Sequence, residues 1–160
     1  MTGYRETLHY MGCDVVVYDR FPTDAWASFR KIDLDVVPYD VPDASAALVL
    51  CVEAIEHVEN PRALMRELVR IAKPGARVIV TTPNQLSVLS KLPLLTKNEF
   101  VAFQEAPGLH RAHITALFEK DLRRIASECG DRNSLHGLGP HSFTGRRFSY
   151  NVLLSARTRS

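Results

Sequence analysis

The sequence has little net charge and no long apolar run. Its 160 residues include 20 Lys and Arg against 18 Asp and Glu, which gives a formal net charge of +2. A charge this small gives no electrostatic reason to expect nucleic acid or a membrane surface as the partner. A membrane-spanning helix is not expected either, because no apolar run approaches the ~18 residues that a span requires. No secretory signal is predicted.

Cysteines are few, odd in number and far apart, at positions Cys13, Cys51 and Cys129. No pair has the spacing of a zinc knuckle or a redox motif. Cys51 ends an apolar run and Cys129 ends an amphipathic segment, so we interpret both as small buried apolar groups. This usage is typical of a reducing compartment, and it predicts a cytoplasmic protein.

The sequence alternates between strand-like and helix-like segments. Short apolar or β-branched runs predict strands at 14–20, 32–37, 45–52, 77–82 and 148–156. Apolar residues at helical spacing, with capping residues, predict helices at 4–11, 24–31, 61–72 and 116–129. We expect one α/β domain over residues 1–160, because strands alternating with helices predict a parallel sheet that is covered on both faces.

Residues 84–114 interrupt this alternation. They are apolar and aromatic, and Pro93 and Pro107 lie among them. A structured insert after the carboxyl end of a strand often forms a lid or a substrate-side wall. A packed connection between a strand and a helix explains the segment equally well, and the sequence leaves both interpretations open.

Acidic residues follow three of the predicted strands. Asp19 ends the first, Asp33 lies at the second, and Glu53 and Glu56 follow the third. Ligands of open α/β sheets bind outside the carboxyl ends of the strands, where an acid can accept both hydroxyls of a ribose. The set therefore favours a nucleoside-type ligand. The alternative is that these acids only solubilise the protein and complement helix dipoles.

The order of four segments resembles the class I S-adenosylmethionine-dependent methyltransferases: VVVYDR, DLDVVPYDVPD, ALVLCVEAIEHVENP and ALMRELVRIAKPGARVIVTTPN. The branch to which they are most similar includes the ubiquinone-biosynthesis O-methyltransferases, and the resemblance covers residues 2–130. It implies a Rossmann-like, doubly wound, mostly parallel sheet with helices on both faces. It also implies S-adenosylmethionine as cofactor and a small molecule as methyl acceptor.

Roles for individual residues follow from this resemblance. Asp19 would hold the ribose hydroxyls of the cofactor. Asp33 would face the adenine amino group, with the backbone of Leu34 beside it. The methionine side of the cofactor would be lined by the residues at the end of the third strand, Cys51, Val52 and Glu53.

The sequence departs from the family at its amino terminus. The family has a first strand followed by a glycine-rich loop, whose glycines let the backbone approach the cofactor. Here Thr2-Gly3 matches only the end of that loop, with Gly3 as its cofactor-binding position, so we expect a chain that begins inside the motif. Loss of the first strand would leave two apolar strand edges, open to pairing with each other, with a second copy of the chain in a homodimer, or with nothing. A catalytically inactive binding module is therefore an alternative to the enzyme.

Three histidines are candidates for proton transfer: His57, His110 and His113. Methyl transfer from a sulfonium mainly requires positioning of the reactants, but a protonated oxygen or nitrogen acceptor has to give up its proton, which a base can accept. Histidine suits this task at neutral pH. For His57, a hydrogen bond within the turn before the 61–72 helix is the structural alternative.

The same region raises the question of a metal. Glu56, His57, His110 and His113, together with Glu53, contain the ligand types of a divalent-cation site and would suit a metal-dependent hydrolase. The spacing matches neither a zincin nor a zinc finger. The sequence therefore predicts no metal site, with the hydrolase as a less favoured alternative.

Overall fold

The computed structural model describes residues 16–19, 28–86, 88–98, 113–129, 136–138 and 151–158. The chain divides into two compact units, Met1–Tyr39 and Asp40–Ser160. The predicted helix at 4–11 lies outside the described residues. A single domain with residues 84–114 as a lid stays a prediction.

The first unit contains two short parallel strands, β1 (Val17–Asp19) and β2 (Phe29–Lys31). Strand β1 lies within the predicted segment 14–20. The other two predictions for this unit are wrong: Phe29–Lys31 is a strand rather than the end of a helix, and 32–37 is a turn region rather than a strand.

Local hydrogen bonds explain why 32–37 does not form a strand. The amide of Val36 donates to the carbonyl of Asp33 at 3.1 Å, and the Asp33 carboxylate accepts the amide of Asp35 at 3.3 Å. Aspartate side chains that bond the backbone two residues on favour turns over sheet ladders. The Tyr39 hydroxyl donates to the carbonyl of Leu34 at 2.8 Å and closes the turn.

The second unit is built on a four-stranded sheet with the order β3-β4-β6-β5. The strands are β3 (Ala46–Val52), β4 (Ala72–Pro83), β5 (His136–Leu138) and β6 (Asn151–Arg157). Strands β3 and β4 are parallel, whereas β6 runs antiparallel to both β4 and β5. The predicted α/β class is confirmed, but this sheet is mixed, because an apolar run predicts a strand without fixing its direction. Strand β5 was not predicted.

Helix α1 (Pro61–Ile71) begins where the sequence predicts. The Asn60 side chain accepts the amide of Ala63 at 3.0 Å, and proline stands at the first helical position, where its missing N–H costs nothing. The sequence Lys73-Pro74-Gly75, of a kind that commonly follows the end of a helix, lies inside β4, since the helix already ends at Ile71. Gly75 adopts a φ of +78°, which suits a glycine in this strand.

Two further helices follow, α2 (Val88–Lys97) and α3 (Glu119–Glu128). Helix α3 begins three residues later than predicted, at a point where the Asp121 carboxylate accepts the amide of Phe118 at 3.3 Å. Helix α1 packs on β4 and on α3. The core of this unit contains the least exposed apolar side chains, Ile55, Val58, Leu64, Met65, Val78, Val80 and Leu122.

The helices of the described ranges are too short or too polar to cross a membrane.

Candidate functional site

The carboxyl ends of β3 and β4 lie side by side, because the strands are parallel and Val52 pairs with Thr81. Directly after β3 the chain turns at Glu53, whose φ is +48°. A non-glycine residue in this left-handed region costs of order 1–3 kcal/mol and persists only where its surroundings enforce it. The Glu53 amide donates to the Thr81 carbonyl at 3.2 Å, and the Thr81 hydroxyl donates to Glu53 Oε1 at 2.8 Å. The Glu53 carboxylate is therefore fixed at the strand end.

A second carboxylate lies just beyond it, in the single helical turn Ile55–His57. Glu56 is completely buried, and its Oε2 accepts the Thr82 hydroxyl at 3.0 Å. Its Oε1 has no hydrogen-bond partner among the described residues. Burial raises the pKa of Glu56 to about 7, the charge of Glu53 adds to the rise, and the Thr82 hydroxyl opposes it.

A distant segment docks against this turn. The amides of Ile114 and Thr115 donate to the Glu56 carbonyl at 3.0 and 3.1 Å, and the Thr115 hydroxyl donates to the Val58 carbonyl at 3.3 Å. These bonds bring His113 to the buried carboxylate, with Nε2 3.8 Å from Glu56 Oε1. The His113 ring centroid lies 4.6 Å from that of His57. Glu56, His57 and His113, which we call the Glu-His-His cluster, each place one ligand atom within 4.8 Å of the others.

The structure brings together only part of the predicted site. Cys51, Val52 and Glu53 follow one another at the end of β3, and Cys51 is buried there. Burial, with a smaller effect from the charge of Glu56, raises the pKa of the Cys51 thiol to about 12, so the thiol stays neutral.

Other predicted residues lie elsewhere or outside the description. Asp33 and Leu34 belong to the first unit, in the turn after β2. Asp19 ends β1, and its side chain is outside the described part of the chain. Gly3 and His110 lie outside the described residues altogether.

Sequence reasoning missed the two threonines that hold the acids. Thr81 and Thr82 are adjacent in β4, and their hydroxyls bind Glu53 and Glu56. The pair is visible in the sequence RVIVTTPN, but its function depends on the register between β3 and β4. Parallel alignment of the two predicted strand ends is the signal that would have found it.

A family model described as a methyltransferase domain matches residues 2–132. The chain belongs to this family. The family implies S-adenosylmethionine as cofactor, and the class I resemblance expected from the sequence is confirmed.

The chain is also similar, in sequence or in fold, to individual methyltransferases. The ubiquinone biosynthesis O-methyltransferase of Methylococcus capsulatus is 27% identical over 120 residues, covering 74% of this chain and 49% of that protein. The chain thus spans about half the length of this curated relative. A SAM-dependent methyltransferase of Archaeoglobus fulgidus superposes with a TM-score of 0.68 at 14% identity, covering 97% of this chain and 80% of the other. A SAM-dependent methyltransferase of Thermotoga maritima superposes with a TM-score of 0.57 at 18% identity, covering 82% of this chain and 64% of the other. At these identities the two structures show the shared fold.

The described residues of this methyltransferase domain suit the cofactor in their chemistry. The Glu53 carboxylate, held by Thr81, offers a fixed anion to a cationic group such as the α-amino group of S-adenosylmethionine. In the first unit, the carboxylate of Asp33 can accept a hydrogen bond from an amino group. Both acids follow strand ends, which is where α/β folds commonly bind nucleoside ligands.

Proposed function

We propose that this domain transfers the methyl group of S-adenosylmethionine to an oxygen or nitrogen atom of a small-molecule acceptor. The observation that carries the proposal is the pair of threonine-bound carboxylates, Glu53 with Thr81 and Glu56 with Thr82, at the carboxyl ends of two parallel strands. Polar groups held at this edge of the sheet are where an α/β fold binds its ligand. Family membership supports the same reaction.

The cofactor supplies, when bound, an electrophilic methyl group on a sulfonium. The resemblance to the family, rather than the structure, implies that it is held by Gly3, Asp19, Asp33, Leu34, Cys51, Val52 and Glu53. Because the sulfide leaves without assistance, these residues act mainly by positioning and by excluding water. The strained turn at Glu53 supports the assignment of that residue, since strain of this kind clusters at ligand sites.

Proton removal from the acceptor is assigned to the histidines. The side chain of His113 is 23% exposed, which makes its imidazole accessible to a ligand, and its Nε2 lies 3.8 Å from Oε1 of the buried Glu56 carboxylate. His57 lies beside it, and His110 stays a candidate from the sequence. The cytoplasmic location and the homodimer through strand edges stay predictions.

Binding of S-adenosylhomocysteine to the whole chain, measured by equilibrium dialysis, tests this function. We expect saturable binding with one site per chain. Replacing Asp33 by asparagine is expected to weaken it about tenfold, because a hydrogen bond to a charged group is lost. The matched control is Asp35→Asn, an exposed aspartate in the same turn, which should bind like the wild type.

One result would count against methyl transfer, and another would count against the role of Asp33 alone. No saturable binding up to millimolar ligand would favour the non-catalytic module. Equal weakening by Asp33→Asn and Asp35→Asn would remove Asp33 from the site while leaving methyl transfer itself standing.

A further inference from the structure

We propose that the second unit holds a separate binding site for a neutral, apolar small molecule, at the end of the sheet opposite to the candidate cofactor site. A cavity of about 320 Å³ lies there, at the amino ends of β3 and β4, and we call it the amino-end cavity. Helices α1 and α3 and the two central strands line it with the apolar residues Met65, Val69, Ala72, Val78, Ala126 and Ala156. The site is independent of methyl transfer, because the proposed cofactor residues of this unit lie at the carboxyl end of β3.

The amino-end cavity exists because small side chains meet where larger ones would fill the core. Helix α1 packs on β4 and on α3, and α3 packs on β6. Ala72, Ala126 and Ala156 each contribute only a methyl group to the space between these elements. Elsewhere the same core is filled by large side chains such as Leu64 and Leu122. Protein interiors contain few voids larger than a water molecule, so a space of this volume indicates a ligand site.

The polar groups beside the cavity bond to one another and leave little for a polar ligand. The Thr158 hydroxyl donates to the Lys73 carbonyl, and the Thr158 amide donates to the Ala76 carbonyl at 3.0 Å. The Thr158 carbonyl accepts the amide of Gly75 at 3.3 Å. Among the described residues that line the cavity, none has a buried side-chain nitrogen or oxygen without a partner. Since a buried water needs two to four polar partners, the cavity favours an apolar occupant over water.

The position of Arg157, the one charged residue among the described lining, favours a neutral ligand over an anion. Successive side chains of a strand point to opposite faces, so Ala156 and Arg157 begin on different sides of the sheet. Arg157 stands opposite Arg77 in the ladder, and both arginines are exposed. The charge therefore lies at the rim, while the floor of the cavity is apolar. An anionic group drawn into the cavity would lose its hydration without gaining a partner, which is costly.

The volume of the cavity selects the size of the ligand. It is about twice the ~150 Å³ of an engineered apolar cavity that binds benzene, and it lies at the lower end of the ~300–1,000 Å³ that ligand pockets span. A molecule with two or three aromatic rings is of the right size. Ala44 and Pro74 are exposed at the mouth, whereas Met65 and Val78 at the floor are buried. A ligand that enters here would contact both helices and both central strands and would stabilise their packing.

The test is fluorescence titration of the full chain with two matched probes. N-phenyl-1-naphthylamine is neutral, and 8-anilinonaphthalene-1-sulfonate is the same molecule with a sulfonate added. We expect one saturable site per chain for the neutral probe, about tenfold weaker binding of the sulfonate, and a melting temperature that rises with the neutral probe. Val69→Phe should weaken binding of the neutral probe about tenfold, because the larger side chain fills the cavity. Arg66→Phe places the same side chain at an exposed position of α1 and should bind like the wild type.

Three results would overturn the proposal: no saturable binding of the neutral probe, tighter binding of the sulfonate, or equal effects of Val69→Phe and Arg66→Phe. Weakening by Leu95→Ala as large as that by Val69→Phe would also overturn it, because the probe would then lie on the exposed leucine of α2. Circular dichroism verifies folding, and Ala126→Leu fills the cavity from α3 if Val69→Phe unfolds. Probe binding without S-adenosylhomocysteine binding would count against methyl transfer alone and leave this site standing.

Discussion

Replacing Leu64 by alanine is expected to lower the free energy of unfolding by about 2–5 kcal/mol. Leu64 is 1% exposed on the face of α1 that packs toward the sheet. The substitution removes buried apolar surface and leaves a cavity that the surrounding side chains fill only in part. Since small domains are stable by only about 5–15 kcal/mol, the change is a large fraction of the total. Urea unfolding followed by circular dichroism measures it.

The control for this experiment is Arg66→Ala, at an exposed position of the same helix. Both substitutions place alanine on α1 and change its helix propensity by similar amounts, but only Leu64→Ala leaves a cavity in the core. A loss below about 1 kcal/mol for Leu64→Ala, or an equal loss for both variants, would contradict the assignment of α1 to the core.

Replacing Thr82 by valine is expected to destabilise the protein by about 1–3 kcal/mol. Valine matches threonine in shape but removes the hydroxyl that donates to the buried Glu56 carboxylate. When unfolding is measured in EDTA, the substitution should lower the free energy of unfolding more at pH 8 than at pH 5.5. The reason is that folding raises the pKa of Glu56 to about 7, so the charged form that needs the donor predominates only above this value.

Unfolding curves at the two pH values measure the effect of this substitution. Thr96→Val is the matched control, because Thr96 is exposed on α2 and its loss of a hydroxyl should change stability by less than about 0.5 kcal/mol. Equal stability of Thr82→Val and wild type at pH 8 would mean that the hydroxyl does not support Glu56.

The sequence predicts those elements of the fold whose causes are local. Helix α1 is one example, since the Asn60 cap and the apolar positions of its buried face lie within one short segment. Strand β3 is another, because a continuous apolar run is sufficient. Strand β2 was missed, because its residues lie at the end of the segment 24–31, for which the sequence predicts a helix. The turn set by Asp33 occupies the segment in which a strand was expected instead. The antiparallel direction of β6 depends on the path of the chain between the strands, which the local sequence pattern does not specify.

The candidate site likewise contains residues that the sequence predicts and residues that depend on the folded structure. Glu53 and Glu56 were predictable, because acids after a buried strand lie at the ligand edge of an α/β sheet. Thr81 and Thr82 required the register between two strands, which apolar patterns do not specify. The meeting of His113 with Glu56 required a segment 57 residues away to dock by backbone hydrogen bonds, and sequence spacing carries no sign of it.

Calorimetric titration with S-adenosylhomocysteine, comparing the wild type with Glu53→Gln, tests most directly whether the carboxyl ends of β3 and β4 form one wall of the cofactor site. We expect the wild type to bind and Glu53→Gln to bind about 10–100-fold more weakly, because the fixed carboxylate loses its charge toward the cofactor's amino group. Glu59→Gln, an exposed glutamate in the same connection, should bind like the wild type. Unchanged affinity in Glu53→Gln, or equal weakening by both substitutions, would contradict the account.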